Sequence, residues 1–202
     1  MLHPPTIWLS LLEAALSCSA RIHLRVTGGV YQLCLLRMMG VTVQGPVSFA
    51  PGASFSDPSK LQLGRYVSFG ANARIVSWAP VIIGDDFMAS DSLSINSGDH
   101  DPITWKPKLA PITIGNRVWC GTGVTICAGV EIGDDVVIGA GSLVTKSLPA
   151  GHIAYGSPAK PMRAINREGE KLWSMWPERS DFHRVHEASK FKQRFHRFVA
   201  RF

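Results

Sequence analysis

Cysteine is scarce in this chain of 202 residues, and the four that occur, Cys18, Cys34, Cys120 and Cys127, form no CxxC pair. That spacing argues against a zinc site and a disulfide framework, and it favours free thiols in a reducing compartment. The first twenty residues contain no Lys or Arg, so no secretory signal is visible, and the apolar stretch over residues 7–20 is too short for a membrane span. We therefore expect a cytoplasmic protein, with contact at a membrane surface left open.

The chain also lacks a P-loop and a GxGxxG motif following a strand, which leaves both kinds of nucleotide site without support. The net charge is +6, and residues 160–202 hold this surplus, with eleven Lys and Arg against five Asp and Glu. A basic segment suits nucleic acid, anionic lipid or a phosphorylated cofactor, or it is simply a solvated helix surface. Because no RNA- or DNA-binding motif accompanies it, we expect no nucleic-acid partner.

What the chain does contain is a six-residue period. Small aliphatic or similar residues recur at Ile114, Cys120, Ile126, Ile132, Ile138, Val144 and Ala150. Glycine directly follows several of them, and a short fixed period of this kind predicts stacked coils. The side chains at every sixth position are then expected to point inward and to stack between coils.

A phrase of two aliphatic residues separated by one position marks each coil, and its second residue falls at positions 43, 63, 83, 114 and 132. The step from 83 to 114 is longer than the others by about a dozen residues, which predicts a loop inserted at 96–111. Three short strands per coil, joined by corners that contain glycine, predict an all-β solenoid with a triangular cross-section, which we call the prism.

The pattern divides the chain into three parts. Residues 1–40 predict an N-terminal helical cap that covers the open edge of the first coil. Residues 41–162 form the solenoid domain, and residues 163–202 predict a basic helical C-terminal extension. Phenylalanines recur near helical spacing in this extension, which favours docking on the prism or on a neighbouring subunit over peripheral binding to a membrane.

Three segments resemble a known family: PITIGNRVW at 111–119, VEIGDDVVIGAGSLVTKSLPAG at 130–151 and GSPAKPMR at 156–163. They are similar to the hexapeptide-repeat acyltransferases, above all the galactoside, maltose and nodulation O-acetyltransferases and the colanic-acid-type acetyltransferases of polysaccharide biosynthesis. The resemblance implies a left-handed parallel β-helix, an exception to the usual right-handed crossover. It also implies a homotrimer whose active-site cleft lies between two subunits.

The same resemblance implies an enzyme that moves an acetyl group from acetyl-CoA to a hydroxyl of a saccharide or glycoconjugate. N-acetylation of an amino sugar and transfer of a larger acyl group are the alternatives. Such a transfer needs a base for the acceptor proton, donors for the developing oxyanion, and two substrates held in line. A backbone N–H in the coil after the loop is the expected oxyanion donor.

The family places its catalytic histidine in the inserted loop, which identifies His100 as the general base. A neutral imidazole suits proton removal near neutral pH. Asp99 or Asp101 is then the candidate for orienting the imidazole and stabilising its charged form, although both are also natural turn residues.

Contacts with acetyl-CoA are assigned by position. The resemblance gives Trp119, Thr122 and Ala140 to the pantetheine arm, Thr145 and Lys146 to the adenosine end, and Lys160 and Arg163 to the phosphates. Candidate contacts with the acceptor are Asn72, Asp91 and Trp105, the last as a surface on which a sugar ring stacks.

Two other functions of such a prism are weaker. A γ-class carbonic anhydrase needs three histidines on zinc, whereas only His100 and His152 lie in the predicted coils, so we expect no metal. A purely structural β-helix would not need a histidine in a long insertion or a basic exit from the last coil.

Overall fold

The computed structural model describes residues 35–166, which contain a helical turn at 35–38, a 3-10 helix at Pro58–Lys60 and nineteen strands. The first parallel sheet stacks β1 (Thr42–Val43), β4 (Leu61–Leu63), β7 (Val81–Ile83), β12 (Ile112–Ile114) and β15 (Glu131–Ile132). The second sheet stacks β2 (Val47–Phe49), β5 (Val67–Phe69), β8 (Met88–Ala89), β13 (Trp119–Cys120), β16 (Val137–Ile138), β18 (His152–Gly156) and β19 (Ala159–Ala164). The third sheet stacks β3 (Ser54–Ser56), β6 (Arg74–Val76), β9 (Ser94–Asn96), β14 (Thr125–Ile126) and β17 (Leu143–Val144). β10 (Gly98–His100) and β11 (Pro107–Leu109) form a separate antiparallel hairpin.

Five coils each contribute one strand to each of these three sheets. The strands run parallel except for β18 and β19, which pair antiparallel. The described chain is therefore an all-β parallel solenoid, as the six-residue period predicts. We call the line of corners between the first and second sheets the first edge. The second edge lies between the second and third sheets, and the third edge joins the third sheet to the next coil.

The register confirms the predicted alignment of the aliphatic phrases. Val43 pairs with Leu63, Leu63 with Ile83, Ile83 with Ile114, and Ile114 with Ile132. All five side chains are buried, because alternate residues of a strand point to opposite faces and this set points into the prism.

The inward ladder departs from the prediction at its last position. Ala150 is exposed, whereas Leu148 is buried and forms a bridge with Ile132. Only three residues separate Val144 from Leu148, so the corner is two residues shorter than the period allows. The six-residue spacing then resumes from Leu148 to the buried Ala154.

The core of the early coils is aromatic, which the six-residue pattern did not indicate. The rings of Phe49 and Phe69 stack with centroids 4.6 Å apart, and Phe55 meets Phe49 edge to face at 5.0 Å. Phe87 continues this column at 5.3 Å from Phe69. Aromatic pairs in these geometries add to the stabilisation from area burial alone.

The first edge is held by ion pairs between coils. The Arg65 guanidinium contacts the Asp85 carboxylate at 2.7 Å, and Arg117 contacts Asp135 at 2.6 Å. These pairs are partly exposed, so each contributes little by itself, but they align corners that the backbone ladder already stacks.

The inserted loop at 96–111 contains the β10–β11 hairpin, which projects from the third edge between β9 and β12. The predicted cap and extension fall largely outside the described residues, and the left-handed winding stays a prediction from the resemblance. At the start of the extension, Arg163 and Ala164 belong to β19, so the helix predicted from residue 163 does not begin there. Among residues 35–166 no helix is long and apolar enough to cross a membrane.

Ile82 and Ile83 test the inward ladder as adjacent residues of β7. Ile83 is 1% exposed and Ile82 is 39% exposed. We expect Ile83→Ala to lower the free energy of unfolding by about 2–5 kcal/mol, since it leaves a cavity in the core. Ile82→Ala should change it by about 0.5 kcal/mol or less, as for other surface positions. Urea denaturation at one protein concentration measures both, and equal losses would contradict the assigned strand faces.

Candidate active site

The hairpin leaves the prism at residues 97–98 and returns at residues 109–110, which we call its root. Ser97 bonds this root to the preceding coil. Its fully buried hydroxyl lies 2.8 Å from the Ala79 carbonyl oxygen and 3.1 Å from that of Val76, and it accepts the Ala79 N–H at 2.9 Å. The Ser97 N–H donates to Val76 at 3.0 Å, and the Ala110 N–H donates to the Ser97 carbonyl at 3.0 Å. Both ends of the insertion are therefore fastened to regular structure.

His100 ends β10 and is exposed. The hairpin register places it opposite Pro107 and places Asp99 opposite Lys108. Asp99 Oδ1 accepts the His100 backbone N–H at 2.7 Å. Among residues 35–166 the imidazole itself forms no hydrogen bond or ion pair, so its ring nitrogens are open to a substrate.

Asp101 organises the tip of the hairpin. Its Oδ1 accepts the Thr104 N–H at 2.7 Å, the Thr104 hydroxyl at 2.9 Å and the Ile103 N–H at 3.1 Å. These hydrogen bonds lower the pKa of the Asp101 carboxyl because they stabilise its charged form, and those from Thr104 have the largest effect. The tip presents Ile103 and Trp105 to solvent at 89% and 79% exposure.

Four of the predicted contact residues line the second edge. Asn72, Asp91, Thr122 and Ala140 occupy corners of successive coils, and all are exposed. Asp91 Oδ1 accepts the Ala71 N–H at 2.7 Å, and the Thr122 carbonyl accepts the Gly141 N–H at 2.8 Å. These bonds join neighbouring coils.

Trp119 lies on β13 of the second sheet at 44% exposure, directly before the second edge. Lys160 and Arg163 project from β19, which pairs with β18 at the end of the same sheet. Within residues 35–166 neither cation forms an ion pair with a carboxylate. Within the described part of the chain, the end of the second sheet therefore carries positive charge that no carboxylate neutralises.

The remaining predicted residues lie on the third edge. Thr145 and Lys146 occupy the corner after β17, two coils beyond the hairpin that carries His100, and both are exposed. Partial burial raises the pKa of the Cys127 thiol on the intervening corner, and the nearby Asp99 carboxylate raises it further. The hairpin root therefore stands over this edge.

The predicted residues thus divide between two edges of one prism and the second sheet, which carries Trp119, Lys160 and Arg163. The third sheet lies between the two edges. The register aligns polar side chains across that sheet, and these are Ser54, Arg74, Ser94 and Thr125. Sequence reasoning did not single them out. Their signal was the twenty-residue coil spacing, which places position 74 one coil from 54 and 94.

Trp78 and Gly98 were also missed. A Cβ atom on Gly98 would lie 2.4 Å from Trp78 Cε3, so the indole packs against the bare backbone at the start of β10. The signal was the twenty-residue coil spacing, which places position 78 directly below 98 in the stack. Among the described residues no group of three or more His, Cys, Asp or Glu side chains is arranged to hold a metal.

Comparison with known proteins shows which family this chain resembles. Residues 111–146 match the bacterial transferase hexapeptide family (six repeats). The galactoside O-acetyltransferase of Escherichia coli (strain K12) is 37% identical over 138 residues, which is 65% of this chain and 68% of that protein. The putative colanic acid biosynthesis acetyltransferase WcaF of the same organism is 34% identical over 131 residues, covering 64% and 72%.

A solved galactoside acetyltransferase in complex with coenzyme A superposes with a TM-score of 0.64 and 30% identity, covering 81% of this chain and 84% of that one. A maltose O-acetyltransferase from Clostridium difficile 630 superposes equally well, with a TM-score of 0.64 and 26% identity, covering 78% and 89%. Both alignments extend well beyond the six repeats matched by the family comparison.

The hydrogen bonds at Asp101 predict how the hairpin tip responds to acid. Because folding lowers the pKa of this carboxyl, its contribution to the stability of the tip is complete above the ordinary pKa of 3.8. That contribution is lost as the pH falls through the lowered pKa. The amide NMR signal of Thr104 should therefore titrate with a midpoint below 3.8. Asp101→Asn should abolish that titration, and a wild-type midpoint above the ordinary value would contradict the assignment.

Proposed function

This chain belongs to the hexapeptide-repeat acetyltransferase family and is an acyltransferase, and we propose that it moves an acetyl group from acetyl-CoA to a hydroxyl of a saccharide or glycoconjugate. The observation that carries this proposal is the inserted hairpin, which holds an exposed histidine away from the prism in a chain 37% identical to a galactoside O-acetyltransferase. In this proposal the acceptor is of the kind named for the relatives, and a screen of candidate acceptors would identify it.

His100 is the general base in this proposal. Its imidazole takes the proton from the acceptor hydroxyl as that oxygen bonds to the acetyl carbon and the carbon–sulfur bond breaks. The imidazole then gives this proton to the departing thiolate, which restores the neutral ring. The open ring nitrogens of His100 support the role, since a base must reach its proton directly.

Asp99 and Asp101 act on the hairpin backbone in this proposal. Asp99 commits one carboxylate oxygen to the His100 N–H, and Asp101 commits one to the N–H groups of Ile103 and Thr104 at the tip. We therefore assign both to holding the strand and tip that present the imidazole. Trp105, at the same tip, is anchored by a hydrogen bond from its backbone N–H to the Asp101 carbonyl at 2.8 Å, and we keep it as an acceptor contact.

The donor site follows from the exposed cations and corners of the later coils. Lys160 and Arg163 suit the phosphates of CoA, Arg163 as a planar fork and Lys160 as a point charge. Trp119, Thr122 and Ala140 suit the pantetheine arm along the second edge, while Thr145 and Lys146 on the third edge suit the adenosine end. Bound acetyl-CoA would supply the activated acetyl group.

A neighbouring copy completes this site. His100 projects from the third edge, whereas Thr122, Ala140 and the acceptor candidates Asn72 and Asp91 lie on the second edge. Placing the third edge of one copy beside the second edge of another would bring the two sets together in one cleft. We therefore propose a homotrimer with its active sites between protomers.

The base assignment predicts a selective loss of turnover. His100→Ala should lower kcat by roughly 100- to 10,000-fold, the range for general-base catalysis, while CoA still binds. Thiol release from acetyl-CoA, measured with a panel of sugars, amino sugars and lipid-linked glycans, reports turnover and separates hydroxyl from amine acceptors.

His152→Ala is the matched control for this prediction. His152 lies in the coils but contacts the Ala150 carbonyl at 2.7 Å, away from the hairpin, so turnover should stay near wild type. Near-normal turnover in His100→Ala would overturn the base assignment, and the absence of transfer to every acceptor by the wild type would overturn the function.

The phosphate assignment predicts a loss of donor affinity. Lys160→Ala combined with Arg163→Ala should weaken CoA binding by about tenfold or more, since each substitution removes a charge-assisted contact with a CoA phosphate. Calorimetry with CoA and with a pantetheine fragment lacking the phosphates measures the difference, and the fragment should be little affected. Arg37→Ala with Arg65→Ala removes the same charge elsewhere and should leave CoA affinity unchanged. Equal losses for CoA and the fragment would contradict the role.

A further inference from the structure

We infer that Trp78 is a positioning residue for His100, a role that rests on the proposed function. The indole of Trp78 forms the surface against which the hairpin root packs, and His100 lies on the same short strand as that root. Trp78 thereby fixes where the imidazole stands relative to the two substrates.

The indole of Trp78 fills the space into which a side chain at position 98 would project. An added Cβ on Gly98 would approach Trp78 Cε3 to 2.4 Å and Leu109 Cδ2 to 3.2 Å. The φ angle of Gly98 lies outside the left-handed region, so the backbone conformation does not require glycine. Glycine is needed here because the indole occupies the space of a side chain.

Trp78 is itself held by the preceding coil. The Lys60 ammonium donates to the Trp78 carbonyl at 2.8 Å and to Asp57 Oδ2 at 2.7 Å. The neighbouring Ser77 is fully buried, and its hydroxyl lies 2.9 Å from the Asp57 carbonyl oxygen. The indole therefore stands on a corner that is bonded to the coil below, and it is 42% exposed.

The rest of the hairpin has few contacts with its own prism. Every residue from Pro102 to Leu109 is exposed, so the strands rely on each other and on the root. A two-stranded hairpin is marginally stable by itself. Ser97 still fastens the root to the preceding coil, so loss of the indole would leave β10 free to shift from Gly98 onward, and His100 would shift with it.

A displacement of this kind affects catalysis more than donor binding. Misplacing a reacting group by about 1 Å can cost about 100-fold in rate. The proposed CoA contacts lie on β13, on other corners and on β19, and none of them belongs to the hairpin. Trp78 should therefore influence kcat while leaving CoA affinity unchanged.

The test compares Trp78→Ala and Trp78→Phe with Ile82→Ala, a control of similar exposure on the first sheet. Trp78→Ala should lower kcat by about 100-fold with unchanged CoA affinity. Hydrogen exchange should accelerate at residues 98–110 and nowhere else in the coils. Trp78→Phe should restore most of the activity, since a ring still fills the contact, and Ile82→Ala should match the wild type in every measurement.

A double-mutant cycle isolates the contact itself. Gly98→Ala should lower kcat in the wild-type background because its methyl group collides with the indole. In the Trp78→Ala background the same change should cost much less, so the two effects should not add. If Trp78→Ala does not fold, Trp78→Phe and Gly98→Ala carry the test, and wild-type kcat in Gly98→Ala overturns the inference.

Other outcomes separate this inference from the function on which it rests. Wild-type kcat and hairpin exchange in Trp78→Ala, alongside an inactive His100→Ala, would overturn the positioning role alone. A raised acceptor KM without faster hairpin exchange would make Trp78 an acceptor contact and would likewise overturn it. An active His100→Ala would instead remove the base assignment, whatever Trp78 does.

Discussion

The parallel backbone ladder between coils is the interaction on which the rest of this structure depends. Each strand donates and accepts along its whole length to the strands above and below, as in the 2.8 Å bonds from the Gly84 N–H to Ile114 and from the Gly115 N–H to Ile132. Because side chains alternate across a strand, this register forces one set inward into a continuous core. The outward set is left to form lines along the faces and edges, where residues distant in sequence become neighbours.

The ladder tolerates an insertion because the register resumes beyond it. Ile83 pairs with Ile114 although the hairpin intervenes between their coils. The regular coils therefore supply stability, and the irregular segment carries His100, the base in the proposed function. The buried Ser97 hydroxyl and the Trp78 indole lie at this junction, and both connect the hairpin to the preceding corner.

Much of the fold follows from local pattern. The aliphatic phrases located one strand of every coil, and the long step between Ile83 and Ile114 located the hairpin. The pattern failed at Ala150 and at Arg163, where the chain leaves the solenoid. The corner before Leu148 is short and β19 folds back antiparallel on β18, so neither position continues the repeat. A period predicts only the segments that obey it.

Sequence by itself determined the coil spacing, the inward ladder and the place of the insertion, because each is set by residues a few positions apart in a repeating backbone. Only the tertiary structure decided which outward residues share an edge, that the predicted site residues divide between two edges and the second sheet, and that Trp78 packs against Gly98. Those relations depend on the stacking of whole coils and on the space each side chain fills, and neither is encoded in a local period.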